Sequence, residues 1–235
     1  MNTPIQPFGS SIVQQGLDLI FPPRCSGCGR FGRYLCESCQ KALVRFNFSL
    51  CPMCDRPTVF GNTHPACKNE FAPDGQILCY QYLPPLSLYI KTIKYSGVYD
   101  AVRELPTLIN TAWPSYAPTL DILIPVPLSP EKQSSRGFNQ AEMICYQLSQ
   151  LIEKPMNRFV LSKISNTTPQ ASKKRKARKK LQQCFAVMQP SIIQNLTVGL
   201  IDDVATTGST LRVATQAIKQ AGAKRVWCIP LAHAF

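Results

Sequence analysis

Residues 196–210 read LTVGLIDDVATTGST. The apolar run predicts a buried strand over 196–203 that ends on two adjacent acids. The small, hydroxyl-rich turn after it leads into a helix over 209–221, closed by Gly222. Strand, tight turn and helix in that order are the unit of a parallel α/β sheet. Backbone N–H groups of Thr206, Thr207, Gly208 and Ser209, with the hydroxyls up to Thr210, line the helix N-terminus, a setting that suits a phosphate monoester. Gly208 lets the main chain come close to such a ligand. Asp202 and Asp203 would repel phosphate. They suit a sugar's vicinal hydroxyls, as acceptors, or a magnesium ion shared with that sugar. Together these residues describe a ribose 5-phosphate site. An acidic turn with a Thr/Ser helix cap explains any two of the features, and less easily all of them.

The same alternation runs outward along the chain. DILIPVP (121–127) reads as a buried strand ending in prolines, and GFNQAEMICYQLSQLIE (137–153) has helical apolar spacing. Two helices are expected at 86–95 and 98–112. RFVLSKI (158–164), CFAVM (184–188) and RVWCIPLA (225–232) are further strands, and 171–183 is a charged helix. The fold class expected is α/β, with a mainly parallel sheet and helices on both faces.

The N-terminal part has a different texture. Of the 11 cysteines, seven fall between Cys25 and Cys67. They form two groups: Cys25, Cys28, Cys36 and Cys39, then Cys51, Cys54, His64 and Cys67, with His64 where a fourth cysteine would stand. Paired C-x2-C knuckles offer thiolates or imidazole to a tetrahedral ion, so eight ligands make two structural zinc sites with closed coordination spheres. Sequential pairing is favoured over interleaved pairing, and both remain open. A module this small cannot bury enough to fold alone, so metal must supply the free energy. The expected organisation is a short helix over 1–22, a two-zinc cysteine module over 23–70 and an α/β domain over 71–235. Cys79, Cys145, Cys184 and Cys228 have no partners at metal spacing and read as small buried apolar residues.

Net charge is +13, from 26 Lys and Arg against 13 Asp and Glu. Seven of these cations form one octet: Lys173, Lys174, Arg175, Lys176, Arg178, Lys179 and Lys180. Consecutive helical residues turn by about 100°, so the octet surrounds a helix with charge. A solvated surface helix is the bland reading. The charge density favours a phosphate backbone, bound with strong salt dependence. No aromatic residue interrupts the octet, so sequence readout is not expected. No run approaches the roughly 20 apolar residues of a membrane span, and no secretory leader is legible, which together point to the cytoplasm.

The string of paired acids and Thr-Thr-Gly resembles the signature of type I phosphoribosyltransferases, which bind phosphoribosyl pyrophosphate (PRPP). With PVPLSPEKQSSRGFNQAEMI (125–144), the TPQ of 168–170, the basic helix and the paired knuckles, nearly the whole chain is similar to the competence protein F (ComF, ComFC) family. The resemblance implies a double zinc ribbon joined to a phosphoribosyltransferase-like domain, working in DNA uptake during natural transformation. It implies that Asp202 and Asp203 meet the ribose hydroxyls and that Ala205, Thr206, Thr207, Gly208, Ser209 and Thr210 hold the 5-phosphate. Residues 136–140 would then lie near the pyrophosphate, with Arg136 and Lys132 as candidate catalytic groups and Mg2+ arriving with PRPP. The family's basic helix commonly carries an asparagine shortly after its arginines; this chain lacks it. The expected role is a PRPP-binding protein that handles single-stranded DNA, and duplex DNA on the same charge, beside a protein of the uptake machinery. The alternative is an active Mg-dependent phosphoribosyltransferase of unknown acceptor.

Overall fold

The computed structural model describes residues 21–95, 99–164 and 184–234. The expected N-terminal helix, the TPQ stretch and the basic octet therefore lie outside the described residues.

The central sheet is built on two nine-residue strands, β8 (Thr197–Ala205) and β9 (Arg225–His233). Between them runs the helix α6 (Ser209–Gln220), the crossover that two parallel neighbours require. On one side β8 pairs with β5 (Ile122–Pro125). On the other, β9 pairs with two short segments, β3 (Gly75–Gln76) and β4 (Tyr80–Gln81). All these pairings are parallel. The strand expected over 196–203 runs two residues further, so Asp202 and Asp203 stand inside β8 rather than at its last positions.

Both faces of the sheet are covered, as near-continuous apolar strands demand. One carries α2 (Leu86–Tyr95), α3 (Leu105–Ala112) and α5 (Gln140–Leu151), packed on Ile201, Ile229 and Leu231. The other carries α6, packed on Val198, Leu200 and Cys228. Cys79, Cys145 and Cys228 are buried as expected, while Cys184 is only partly buried, at the start of a short edge ribbon; burial pushes the thiols of Cys79 and Cys228 up to about 12.

Three expectations change. The helix foreseen over 98–112 is a 3-10 turn (Tyr99–Glu104) followed by α3, because Pro106 suits a helix start and not an interior. The helix foreseen over 137–153 starts at Gln140. A separate short helix, α4 (Pro130–Arg136), precedes it, stopped by Gly137 at φ 74°. The strands of 158–164 and 184–188 shrink to β6 (Leu161–Lys163) and β7 (Phe185–Val187), which pair antiparallel as a separate ribbon. Its inward residues Leu161 and Phe185 join the core on the α6 face.

The cysteine-rich stretch contributes one short helix, α1 (Glu37–Lys41), and one antiparallel ribbon, β1 (Ser49–Leu50) with β2 (Pro57–Thr58). It lies against the main body: Cys25 and Leu35 belong to the core cluster beneath α2 and α3.

Candidate functional site

Successive residues of a strand face opposite sides, so the two acids straddle the end of β8. Asp203 shares a small cavity with Ile90, Ile93 and Leu231. Asp202, one residue away, follows Leu200 on the α6 side. A local bond ties them: the Asp203 N–H donates to Asp202 Oδ1 at 2.8 Å. Burial, and then the neighbouring Asp203 charge, push the Asp202 carboxyl up to about 7. Asp203 is met by a cation instead, Lys94 Nζ at 2.7 Å from Oδ2.

The turn that follows has the shape the sequence implied. Thr206 and Thr207 are exposed, and Gly208 caps α6 in the left-handed region at φ 64°. A side chain there would be strained, and its Cβ would stand 3.1 Å from Arg212 Nη1. No side chain caps the helix. Thr207 Oγ1 donates to Ser209 Oγ at 3.0 Å and accepts from the Ser209 N–H at 3.4 Å, so the turn engages the first N–H of α6, and an anion would be met by those that follow.

Lys132 and Arg136 sit on α4, which leaves the sheet after β5. Because β5 and β8 are parallel neighbours, with Pro125 opposite Ile201, α4 and the phosphate turn rise from the same edge, where parallel sheets bind ligands. Lys132 is exposed. Arg136 Nη1 donates to Gln140 Oε1 at 3.3 Å. Gln140 is buried and lines the cavity that also holds Asp203. Asn139 serves the fold: its Oδ1 accepts from the Ala141 N–H, and its Nδ2 donates to the Val126 carbonyl.

The eight expected metal ligands come together as two sequential quartets, and the interleaved alternative is excluded. Cys25, Cys28, Cys36 and Cys39 form one, and Cys51, Cys54, His64 and Cys67 the other. Within each, the ligand atoms lie within 4.8 Å of one another. A tetrahedral zinc with bonds of ~2.3 Å separates its sulfurs by about 3.8 Å. Cys28 and Cys36 are 3.6 Å apart at sulfur, and Cys54 Sγ is 3.4 Å from His64 Nδ1, so both sets fit the ion. The other ring nitrogen, His64 Nε2, faces the Pro57 carbonyl at 2.9 Å, the outer contact that fixes a ligating imidazole. Burial alone would raise the Cys25 thiol. Backbone N–H donors from Cys36, Cys28 and Gly27 outweigh it and lower the group to about 6. Burial and the neighbouring thiols push Cys39 up to about 12. Four thiolates so close need a cation to be held together.

Several contacts at this site went unread in the sequence. Arg212 on α6 donates to the Pro52 carbonyl of the second knuckle at 3.1 Å, and Asp55 of that knuckle faces His233 at 3.8 Å. His233 pairs in register with Ala205 at the head of the phosphate turn. The second zinc knuckle therefore walls the turn, a relation between residues 160 apart that no local pattern announces. Lys94 left a fainter trace: in LSLYIKTIKY it falls one turn after Ile90 and beside Ile93, at the border of a buried face.

Comparison with known proteins agrees with these features. A family model described as a double zinc ribbon domain matches residues 16–70. Competence protein F of Haemophilus influenzae is 28% identical over 209 residues, covering 85% of this chain and 90% of that protein. Competence protein ComFC of Bacillus subtilis is 26% identical over 199 residues, covering 80% and 79%. DNA utilization protein YhgH of Escherichia coli K12 is 28% identical over 207 residues, covering 83% and 89%. Among solved structures, a glutamine PRPP amidotransferase from B. subtilis aligns at a TM-score of 0.37 and 16% identity over 79% of this chain, which spans about a third (32%) of its length. A purine phosphoribosyltransferase from Pyrococcus horikoshii aligns at 0.31 and 16%, covering 61% of this chain and 84% of that one. At such scores the fold rests on the sheet order described above.

Proposed function

We propose, from its similarity to competence protein F and ComFC over most of its length, that the chain binds PRPP near the end of β8 and single-stranded DNA through its basic octet, handling incoming DNA in the cytoplasm. One observation carries the ligand half of this reading. Two acids stand near the end of a central strand, which runs through Val204 and Ala205 into a Thr-Thr-Gly helix start. The helix N-terminus takes the 5-phosphate through Ala205 to Thr210, and Asp202 and Asp203 accept from the ribose hydroxyls. Arg136 and Lys132, rising from the same edge, offer positive charge to the pyrophosphate that Mg2+ accompanies. This reading assigns both acids to the ribose, and nothing among the described residues specifies an acceptor. Binding, rather than transfer, is therefore the primary reading.

The DNA half rests on charge. Seven cations in one octet attract a phosphate backbone without reading its sequence, and the net charge of +13 adds to the attraction. The printed names of the relatives, competence and DNA utilization, agree with a role on DNA. Residues 23–70 act as the zinc module and 71–235 as the ligand-binding domain, with the module offering a surface to a protein of the uptake machinery.

Titration calorimetry with Mg2+ and PRPP tests the ligand half: wild-type protein should bind, and D202A/D203A should not. Pyrophosphate release during the same incubation, with and without nucleobases or DNA, would favour the transferase alternative. Changing the octet to glutamine should weaken single-stranded DNA binding and flatten its salt dependence. An unaltered salt slope would remove the octet from the interface.

A further inference from the structure

The acids of β8 are not an open divalent-cation site. Asp203 already holds an ammonium group: Lys94 Nζ lies 2.7 Å from its Oδ2, with both side chains largely withdrawn from solvent, at 17% and 14% exposure. A lysine so placed is costly unless its charge is met, and its four-carbon stem needs a reason to point inward. The reason is α2. Leu86, Tyr89, Ile90 and Ile93 are all less than 5% exposed and anchor the helix on the sheet. Lys94, one turn past Ile90 and next to Ile93, is thereby delivered to the strand end at a fixed height. Its charge also acts on Asp202, opposing the upward push of burial and of Asp203.

A second buried polar residue borders the same small cavity as Asp203. Gln140 is 3% exposed, and its Oε1 accepts from Arg136. Its Nε2 has no partner among the described residues. The wall of that cavity, of about 10 Å3, is apolar, so it offers the acids no further ligand. The charge that meets the acids is the Lys94 ammonium group. A divalent cation would require the reverse, with further oxygen ligands and no resident positive charge.

We propose that Lys94 is the built-in counter-ion of the Asp202–Asp203 pair: it closes the pair to Mg2+ and keeps both carboxylates as acceptors for sugar hydroxyls. The sugar part rests on the PRPP reading above, and the exclusion of metal does not. Of the two roles the acids were open to, hydroxyl acceptor and magnesium ligand, this geometry selects the first. Magnesium then reaches the site only on the pyrophosphate of the ligand. Lys94 is a positioning residue, holding Asp203 and lowering the charge of the pair without touching a reacting atom.

Electron paramagnetic resonance of Mn2+ titrated into the zinc-loaded full chain, with PRPP absent, tests this directly. Wild-type protein should leave the Mn2+ signal undiminished at equimolar concentration. K94M keeps the stem and loses the charge; it should gain one site, binding Mn2+ on the order of tenfold more tightly or better. K94M/D203N should lose that site again, and K94R should behave as wild type. A merely structural ion pair would change stability in these variants and leave Mn2+ uptake flat, which would overturn the proposal. Tight Mn2+ binding by wild-type protein that D203N abolishes would overturn it equally, and that measurement stands even if K94M fails to fold. The two readings separate by adding Mg2+ and PRPP to wild-type protein. No PRPP binding sinks the sugar site, while the Mn2+ series still decides the role of Lys94.

Discussion

The two metal quartets are close to identical as chemistry and differ in what they lean on. The first lies against the helical face of the sheet. Ser26 Oγ meets Thr92 Oγ1 of α2 at 2.9 Å, Leu35 is fully buried, and a Cβ on Gly27 would stand 2.6 Å from Pro85 Cβ. The second lies against the phosphate turn, through Arg212 with Pro52 and Asp55 with His233. Ligand type sets how strongly each ion binds, and placement sets what is felt when it leaves. One quartet braces a core; the other braces the site.

Zinc removal is the largest perturbation of this contrast, because structural zinc contributes roughly 10–16 kcal/mol to folding in small metal modules. C28S and C54S should each lower metal analysis from two ions per chain to one. Both should lower the melting temperature. C54S should lose PRPP affinity about tenfold more than C28S, since among the described residues it is the second knuckle that contacts the first turn of α6. Equal losses in calorimetry would mean that the two quartets are interchangeable supports.

G208V comes next. It places a β-branched residue at φ 64°, a conformation that costs such residues of order 1–3 kcal/mol, and brings a Cβ against Arg212. PRPP binding should fall below detection with both zinc ions retained. R212A is milder: it cuts the bond to Pro52 and should weaken PRPP binding a few-fold, again with two zinc ions per chain. A variant that lost its second zinc would show the bracing to run from turn to knuckle.

The smallest expected effect belongs to Asp202. Its carboxyl is raised from 3.8 to about 7 in the folded chain, by burial first and Asp203 second. The native state therefore holds a proton that the unfolded chain releases, and this group's contribution to stability falls as pH rises between those two values. D202N removes that dependence. The melting temperature of the wild type should drop relative to D202N as pH is raised from 4 to 7, and parallel curves would contradict the raised pKa.

Much of the site was legible in the chain. LTVGLIDDVATTGST announced strand, turn and helix because burial, acid pairing and a left-handed glycine are local demands that a short segment must satisfy by itself. The knuckles were legible for the same reason, since ligand spacing within a knuckle is a property of a few residues. The break at Gly137 and the start of α5 at Gln140 were harder to see, because the apolar spacing runs through residues that Asn139 then caps. The separate β6 and β7 ribbon was missed because period alone does not say which partner a three-residue strand will choose.

The sequence by itself determined the ligand types of both metal sites, the Thr-Thr-Gly turn and the parallel α/β class, each written in residues close together along the chain. Tertiary structure alone decided that the quartets pair sequentially, that the second one walls the phosphate turn, and that Lys94 reaches Asp203 across 109 positions (203 minus 94). These relations depend on how α2 and the second knuckle dock on the sheet, and docking is set by buried surfaces contributed by distant segments at once.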